Sequence, residues 1–467
     1  VRWPWPFVEP FCAPRVPPLP GGGHFLSPGR AECTETCGTE KKKLAAQGAS
    51  SQKAPMHVLH NIIKEYAWGS HVALPAFLGR ASPSATPQAE LWVGAHPLGN
   101  SQLLCGGELM PLGAYIARRP EAVGPGWRGL PFLLKVLAIQ KPLSLQAHPN
   151  AAQARQGHRE EEALHLPQEA RNYKDANHKP ELLCALTPFE ALVGFEAPAR
   201  LLQLFEALAL PSLQEAVALL RQADEALALR GFFERLLRWP KAQRPALLAQ
   251  ARLGLLRMAE AAEAGAEAGA EGVKAGGAAF AQKAALALRL LGEYPEDMGI
   301  LGSLCLNLIC LEPLEALYIP AGCLHAYTRG MGVEIMANSD NVLRGGLSPK
   351  RVDIEALLSV LCFERFIPHI QKALPQAGEE HVFEAPVSEF CLSLLRVSPS
   401  APCAPRRCGA ELLLVVEGEL AAQGPEGVLR LGRGHAAFVA ADEGPYILMG
   451  EGLVARAQVG APSHSGK

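Results

Sequence analysis

The chain has 467 residues, 49% hydrophobic and 19% charged, with 44 Lys and Arg against 46 Asp and Glu. This is the composition of a folded globular protein of roughly two to four domains, which excludes a disordered or collagen-like chain. A net charge of −2 excludes the basic footprint of a nucleic-acid binder, and no run reaches the ~18 apolar residues of a membrane helix.

Residues 1–55 differ from the rest. Pro recurs from Pro4 to Pro20, a Gly21-Gly22-Gly23 run follows, and then Lys41-Lys42-Lys43 and a polar stretch. No apolar core with basic flanks marks a signal peptide. The segment reads as a disordered or non-native extension, with the natural start expected at Met56. Residues 56–198 alternate short apolar runs with Pro and Gly turns, as in AELWVGAHP and LPFLLKVLAI, and read as strands. From 199 to 298 apolar residues recur at three- and four-residue spacing, predicting a helical domain. Within it, the Ala/Glu/Gly-rich segment 259–279 reads as a weakly helical or flexible surface connector. Strand text resumes over 299–382; Ile300 to Leu311 reads as one or two buried strands, and VDIEALLSVLCF as a short helix. Residues 383–460 are all strand, as in a sandwich or small barrel, and 461–467 form a tail. The cysteines sit mostly alone among apolar residues (Cys184, Cys305, Cys310, Cys391) and predict buried free thiols in a reducing cytoplasm; Cys33 and Cys37 form a lone pair without zinc-finger spacing.

Four segments carry chemistry. In Ser144-Leu145-Gln146-Ala147-His148, Gln146 and His148 stand at i and i+2, so on a strand both face one side with an amide oxygen and an imidazole. The polar run Tyr173 to Glu181 enters an apolar strand; Glu181 offers a carboxylate ligand, and His178 and Lys179 offer protons or an anion contact. Pro320-Ala321-Gly322-Cys323-Leu324-His325 makes a tight turn that delivers a histidine into a barrel. Glu334 to Asn341, then Arg344 and Lys350, set acids and bases just after it. Each alone fits an ordinary structural residue; their conjunction is specific.

The P-x-G-x-x-H spacing matches the second cupin motif. SLQAHPN, NHKPE, AGCLHAY and MANSDNVLRGGLSPK, in this order, resemble the type I mannose-6-phosphate isomerases (phosphomannose isomerases), and the resemblance runs from about Met56 to Val459. It implies a mainly β fold with an inserted α domain and two cupin (jelly-roll) barrels, the first metal-binding and the C-terminal one degenerate. It implies one zinc ion held by Gln146, His148, Glu181 and His325, a nitrogen and oxygen set suited to that metal. It implies Arg344 as the catalytic arginine in the interconversion of mannose 6-phosphate and fructose 6-phosphate through a cis-enediol, feeding mannose and GDP-mannose metabolism. Glu334 is the expected proton shuttle, with His178 the second choice, and Asp340 is expected to orient a neighbour. Lys135, Ser144, Lys179, Tyr327 and Lys350 are the candidates for ring opening or phosphate binding. The expected partner is a small sugar phosphate, with no nucleic acid or membrane, and the expected state is a cytoplasmic monomer. The alternatives are a cupin isomerase for another sugar phosphate, such as glucose 6-phosphate, and a non-catalytic sugar-sensing cupin.

The chain departs from the family pattern at Pro313-Leu314-Glu315-Ala316, where Leu314 stands for the usual turn glycine. A positive φ there predicts strain. The 259–279 segment and the N-terminal extension are further departures.

Overall fold

The computed structural model describes residues 56–105, 107–267, 275–373, 375–425 and 427–460. The expected extension and tail, and part of the 259–279 connector, lie outside them. The described chain is mostly β-sheet with several helices, built on two large antiparallel sheets.

The sheet that carries the four chemical segments has 11 strands among the described residues. Its main path runs Ile370–Lys372, Glu315–Ile319, Glu181–Ala185, His325–Ala337, Phe132–Ile139, Glu90–Val93 and Ile62–Lys64. The strand His325–Ala337 is 13 residues long, long enough for two sets of neighbours. Its C-terminal half pairs with Phe132–Ile139 and Glu181–Ala185, and its N-terminal half with Phe189–Phe195 and Leu145–Ala147. Strand Leu343–Gly346 then pairs with Leu145–Ala147.

A register shift falls inside the long strand, where Glu190 pairs with Arg329 but Ala191 pairs with Tyr327. The extra residue reverses the alternation. Counting by twos from His325 and Tyr327 would turn Glu334 to the opposite face. With the shift, Glu334 joins them inside, in a cross-strand row of Trp92, Lys135, Glu334, Leu183 and Leu317.

The helical text forms helices Pro198–Leu208, Gln214–Leu219, Glu225–Leu237, Arg244–Glu267 and Ala275–Glu293. Asp224 caps Glu225–Leu237 by accepting from the Leu227 N–H at 3.0 Å. The last two helices run through most of the expected connector, since Ala and Glu favour helix over coil. Phe205, Phe232, Phe233 and Leu236 of this layer pack in one core with Leu145, Ala147, Leu324, Ala326 and Leu343 of the sheet.

Two sequence expectations change. The run from Ile300 starts not as strand but as helix Gly299–Ser303, followed by strand Leu306–Leu311; a short apolar run does not distinguish the two. Cys184 and Cys305 are buried free thiols, but Cys310 is exposed and Cys391 half-buried. Cys310 lies between buried Ile309 and Leu311, and strand alternation turns it outward.

The second sheet has nine strands. Strand Met56–His60 belongs to it, pairing with Ala436–Val439, and Met56 packs with Leu413, Val415 and Val454. One end of this core holds a buried ion pair. Arg456 donates to both Glu411 oxygens at 2.8 and 3.1 Å, and Tyr446 O–H donates to Glu411 at 2.6 Å. Every charge there is paired, as burial requires.

Leu314 has φ +69° and is 7% exposed, so the strain expected from the sequence is present. An L-residue in this region costs roughly 1–2 kcal/mol, while deleting a buried Leu side chain costs roughly 2–5 kcal/mol. Leu314→Ala keeps the strain and loses the packing; Leu314→Gly loses both. The expected thermal midpoints therefore fall in the order wild type, Gly, Ala, with the Gly variant more stable than the Ala variant by about 1 kcal/mol. An Ala variant as stable as the Gly variant would contradict the strain.

Candidate functional site

Three strands set out a row of side chains. His325 lies opposite Gln146, and Gln146 opposite Arg344, so the three share one face. Alternation adds Ser144 and His148 to that face. The residues between them, Leu145, Ala147, Leu324, Ala326 and Leu343, are each at most 2% exposed and sit in the helix-backed core.

The imidazole orientations follow from backbone partners. His148 Nδ1 lies 2.7 Å from the Asn341 carbonyl, and His325 Nδ1 2.9 Å from the Cys323 carbonyl. A carbonyl only accepts, so each Nδ1 carries the proton and each Nε2 presents a lone pair. Both Nε2 atoms stand 3.4 Å from a Glu181 carboxylate oxygen, His148 from Oε1 and His325 from Oε2. These two nitrogens and Glu181 Oε2 are buried without a hydrogen-bond partner. Two lone pairs aimed at one carboxylate repel it, and a cation between them reverses the sign of every contact. The ligand atoms of the three residues lie within 4.8 Å of one another, so they fit a single ion. Burial, aided by Lys179 and opposed by Glu181, pushes the His148 pKa down to about 4, which keeps the ring in its ligating neutral form. Burial pushes the Glu181 carboxyl up, but Lys179 and His148 outweigh it and hold the group well below its ordinary value.

Charged groups alternate around this cluster. Lys179 Nζ is 2.9 Å from Glu181 Oε1, and Lys135 Nζ is 2.9 Å from Glu334 Oε2. Burial lowers the Lys135 pKa, yet Glu334, Glu90 and Glu181 raise it overall. Burial raises the Glu334 carboxyl, and Glu181 adds to this against the pull of Lys135. Tyr327 lies beside His325, with ring centroids 5.9 Å apart. Burial, then Glu334 and Glu181, lift its phenol well above the usual range, so it stays protonated.

Arg344 and Lys350 lie further along the row and its following loop. Burial lowers the Arg344 pKa. Burial, then the neighbouring Arg344 and Lys174 cations, lower that of Lys350. His178 does not join the cluster. Its Nε2 meets Glu389 Oε1 at 2.7 Å, because Lys179 and Glu181 take the inward positions. Asp340 stands at the wall, 3.6 Å from His96 Nε2.

Several residues of the site have no assignment from sequence. Lys174 and His96 lie in segments that carry the motifs, but nothing in their spacing marks them. Trp92, whose indole donates to Glu90, enters through the cross-strand row with Lys135. Glu389 arrives from 211 residues away, and no local signal reports that. Asn341 has the widest reach. Its Oδ1 accepts from the Lys174 and Asp175 N–H groups at 2.7 and 3.2 Å, and its Nδ2 donates to the Asp175 and Asn177 carbonyls at 2.9 Å each. Its own carbonyl fixes His148. Asn341→Ala is therefore expected to lower metal affinity about 10–100-fold, the usual effect of removing a ligand's support. Competition against a chelating dye checks this, and unchanged affinity would contradict it.

The phosphomannose isomerase type I catalytic domain model matches residues 56–197. The mannose-6-phosphate isomerase of Escherichia coli (strain K12) is 36% identical over 411 residues, spanning 86% of this chain and 99% of that protein. The human mannose-6-phosphate isomerase is 32% identical over 414 residues, spanning 82% and 92%. A crystal structure of a phosphomannose isomerase variant from Salmonella typhimurium superposes with a TM-score of 0.75 at 34% identity, covering 87% of this chain and 100% of that one. A mannose 6-phosphate isomerase solved with zinc bound gives the same values. Full-length relatives at this identity, together with the catalytic-domain match, show that the chain belongs to the type I phosphomannose isomerase family.

Proposed function

We propose that this chain is a zinc-dependent aldose–ketose isomerase that interconverts D-mannose 6-phosphate and D-fructose 6-phosphate. The observation that carries the reading is the pair of buried Nε2 lone pairs converging on Glu181 in a chain of this family. His148, Glu181 and His325 would hold the zinc, with the Gln146 amide beside them. When bound, the ion supplies Lewis-acid charge that orients and polarises the sugar oxygens.

The remaining chemistry belongs to the side chains. The opened sugar must lose a proton at C2 and gain one at C1, or the reverse, through a cis-enediol. Glu334 is the proton carrier of this proposal. Burial raises its carboxyl above the ordinary value, which favours its accepting a proton, and Lys135 at 2.9 Å stabilises it when ionised. Arg344 offers a planar fork of donors to the charge growing on O1 and O2. Lys350, with Lys174 beside it, binds the phosphate dianion. Tyr327 and Ser144 donate to sugar hydroxyls. Asp340, oriented by His96, moves the O5 proton in ring opening, and Lys179 holds Glu181 in place. His178 acts by anchoring its loop to Glu389.

The architecture of this proposal is two cupin barrels, with the ligand set in the first. The second has lost its ligands, and the Arg456–Glu411 pair fills part of its interior. The proposed segments are 56–198 and 299–382 for the catalytic barrel, 199–298 for the helices and 383–460 for the second barrel, with strands Met56–His60, Gln102–Cys105, Glu108–Pro111 and Glu380–Val382 crossing over to the second sheet. The enzyme works as a cytoplasmic monomer. No helix among the described residues is long and apolar enough to cross a membrane.

Chelation should abolish turnover of mannose 6-phosphate, and stoichiometric zinc should restore it. Full activity in metal-free protein would contradict the mechanism, and preference for glucose 6-phosphate in a coupled assay offering both aldoses would reassign the substrate. Arg344→Ala should lower kcat by about 100-fold or more, the scale of losing one oxyanion-stabilising donor, with zinc content and thermal midpoint unchanged. A wild-type kcat in this variant would remove Arg344 from the chemistry.

A further inference from the structure

Strand Leu343–Gly346 ends two residues after Arg344, and the sheet alone does not fix the path of the chain there. Strand pairing slips between Arg344 and Gly346. Gly346 then has φ +130° and Leu347 φ +54°, two consecutive residues in the region that L side chains avoid. Such a path persists only where its surroundings over-determine it.

Asp297 supplies that determination. It lies in the turn between helices Ala275–Glu293 and Gly299–Ser303. Its Oδ2 accepts from the Ser348 N–H at 3.2 Å, and its Oδ1 accepts from the Gly299 N–H at 2.7 Å. The carboxylate thus bridges the helical layer and the loop. The two backbones touch beneath it: a methyl group on Gly346 would stand 2.6 Å from Asp297 Oδ1 and 2.7 Å from the Gly299 Cα. Ser348 passes the anchoring on, since its Oγ accepts from the Lys350 N–H at 3.0 Å. Asp297 also borders a cavity of about 760 Å³. A shortened side chain there faces open space rather than a packed core, so its loss is not in itself an unfolding event.

We propose that Asp297 is a positioning residue for the isomerisation. By holding the Ser348 amide it sets the backbone that follows Arg344, and so keeps the guanidinium in its row beside Gln146 and His325. The inference rests on the reading of Arg344 as the group that stabilises the developing charge. Misplacement of a catalytic group by about 1 Å costs on the order of 100-fold in rate, so a loosened loop acts on kcat.

The test is a double-mutant cycle read in kcat, with zinc content and thermal midpoint measured on each protein. Asp297→Ala alone should lower kcat by about tenfold or more, with zinc still bound and a smaller change in KM. In an Arg344→Ala background the same substitution should cost less than about twofold, because the group it positions is gone. Asp297→Asn keeps one accepting oxygen, should fall between wild type and Ala, and serves in the cycle if the Ala variant does not fold. Equal losses in both backgrounds would overturn the proposal while leaving Arg344 in place. A wild-type kcat in Arg344→Ala alone would overturn the reading of Arg344 first, and the Asp297 assignment with it.

Discussion

Everything in the site depends on the two faces of one small patch of sheet. On strands Leu145–Ala147, His325–Ala337 and Leu343–Gly346, one face presents Gln146, His325 and Arg344, and the other presents Leu145, Ala147, Ala326 and Leu343 to the helical core. A slip of one residue would exchange the faces. Burying a Leu side chain contributes roughly 1.5–3 kcal/mol, so several such residues fix the register far more firmly than any single polar contact in the site. The helical layer is therefore more than an appendage. It supplies the apolar surface that holds the polar row in place.

Polar contacts then set orientation within that frame. Backbone carbonyls of Asn341 and Cys323 take the Nδ1 protons, leaving both Nε2 lone pairs to converge on Glu181. Lys179 and Lys135 each neutralise one carboxylate in a space where an unpaired charge would be costly. The resulting electrostatics separate two acids by role. Lys179 and His148 hold the Glu181 carboxyl below its ordinary value, while burial raises that of Glu334, which suits the ligand and proton-carrier roles proposed for them. Environment, not residue type, divides these tasks.

Much of this was legible in the sequence because it is local. The i, i+2 spacing of Gln146 and His148 predicts their shared face, the glycine turn before His325 predicts its inward placement, and apolar spacing predicts the helical layer. Leu314 in place of a turn glycine flags strain if the position needs a positive φ, and it adopts one. What the sequence hides is non-local or turns on one residue. The register shift beside Arg329 brings Glu334 to the same face as His325, against a simple count. Met56–His60 pairs with a strand some 380 residues later, by the order-of-magnitude distance that no window spans. His178 meets Glu389, and Asn341 ties two loops, through contacts that no periodicity encodes.

The most direct test of the central claim is anomalous diffraction at the zinc edge from crystals of the protein with zinc bound. The account predicts one strong peak within about 2.0–2.2 Å of His148 Nε2, His325 Nε2 and a Glu181 oxygen, with Gln146 alongside. A peak elsewhere in the fold, or ligation through either Nδ1, would contradict it.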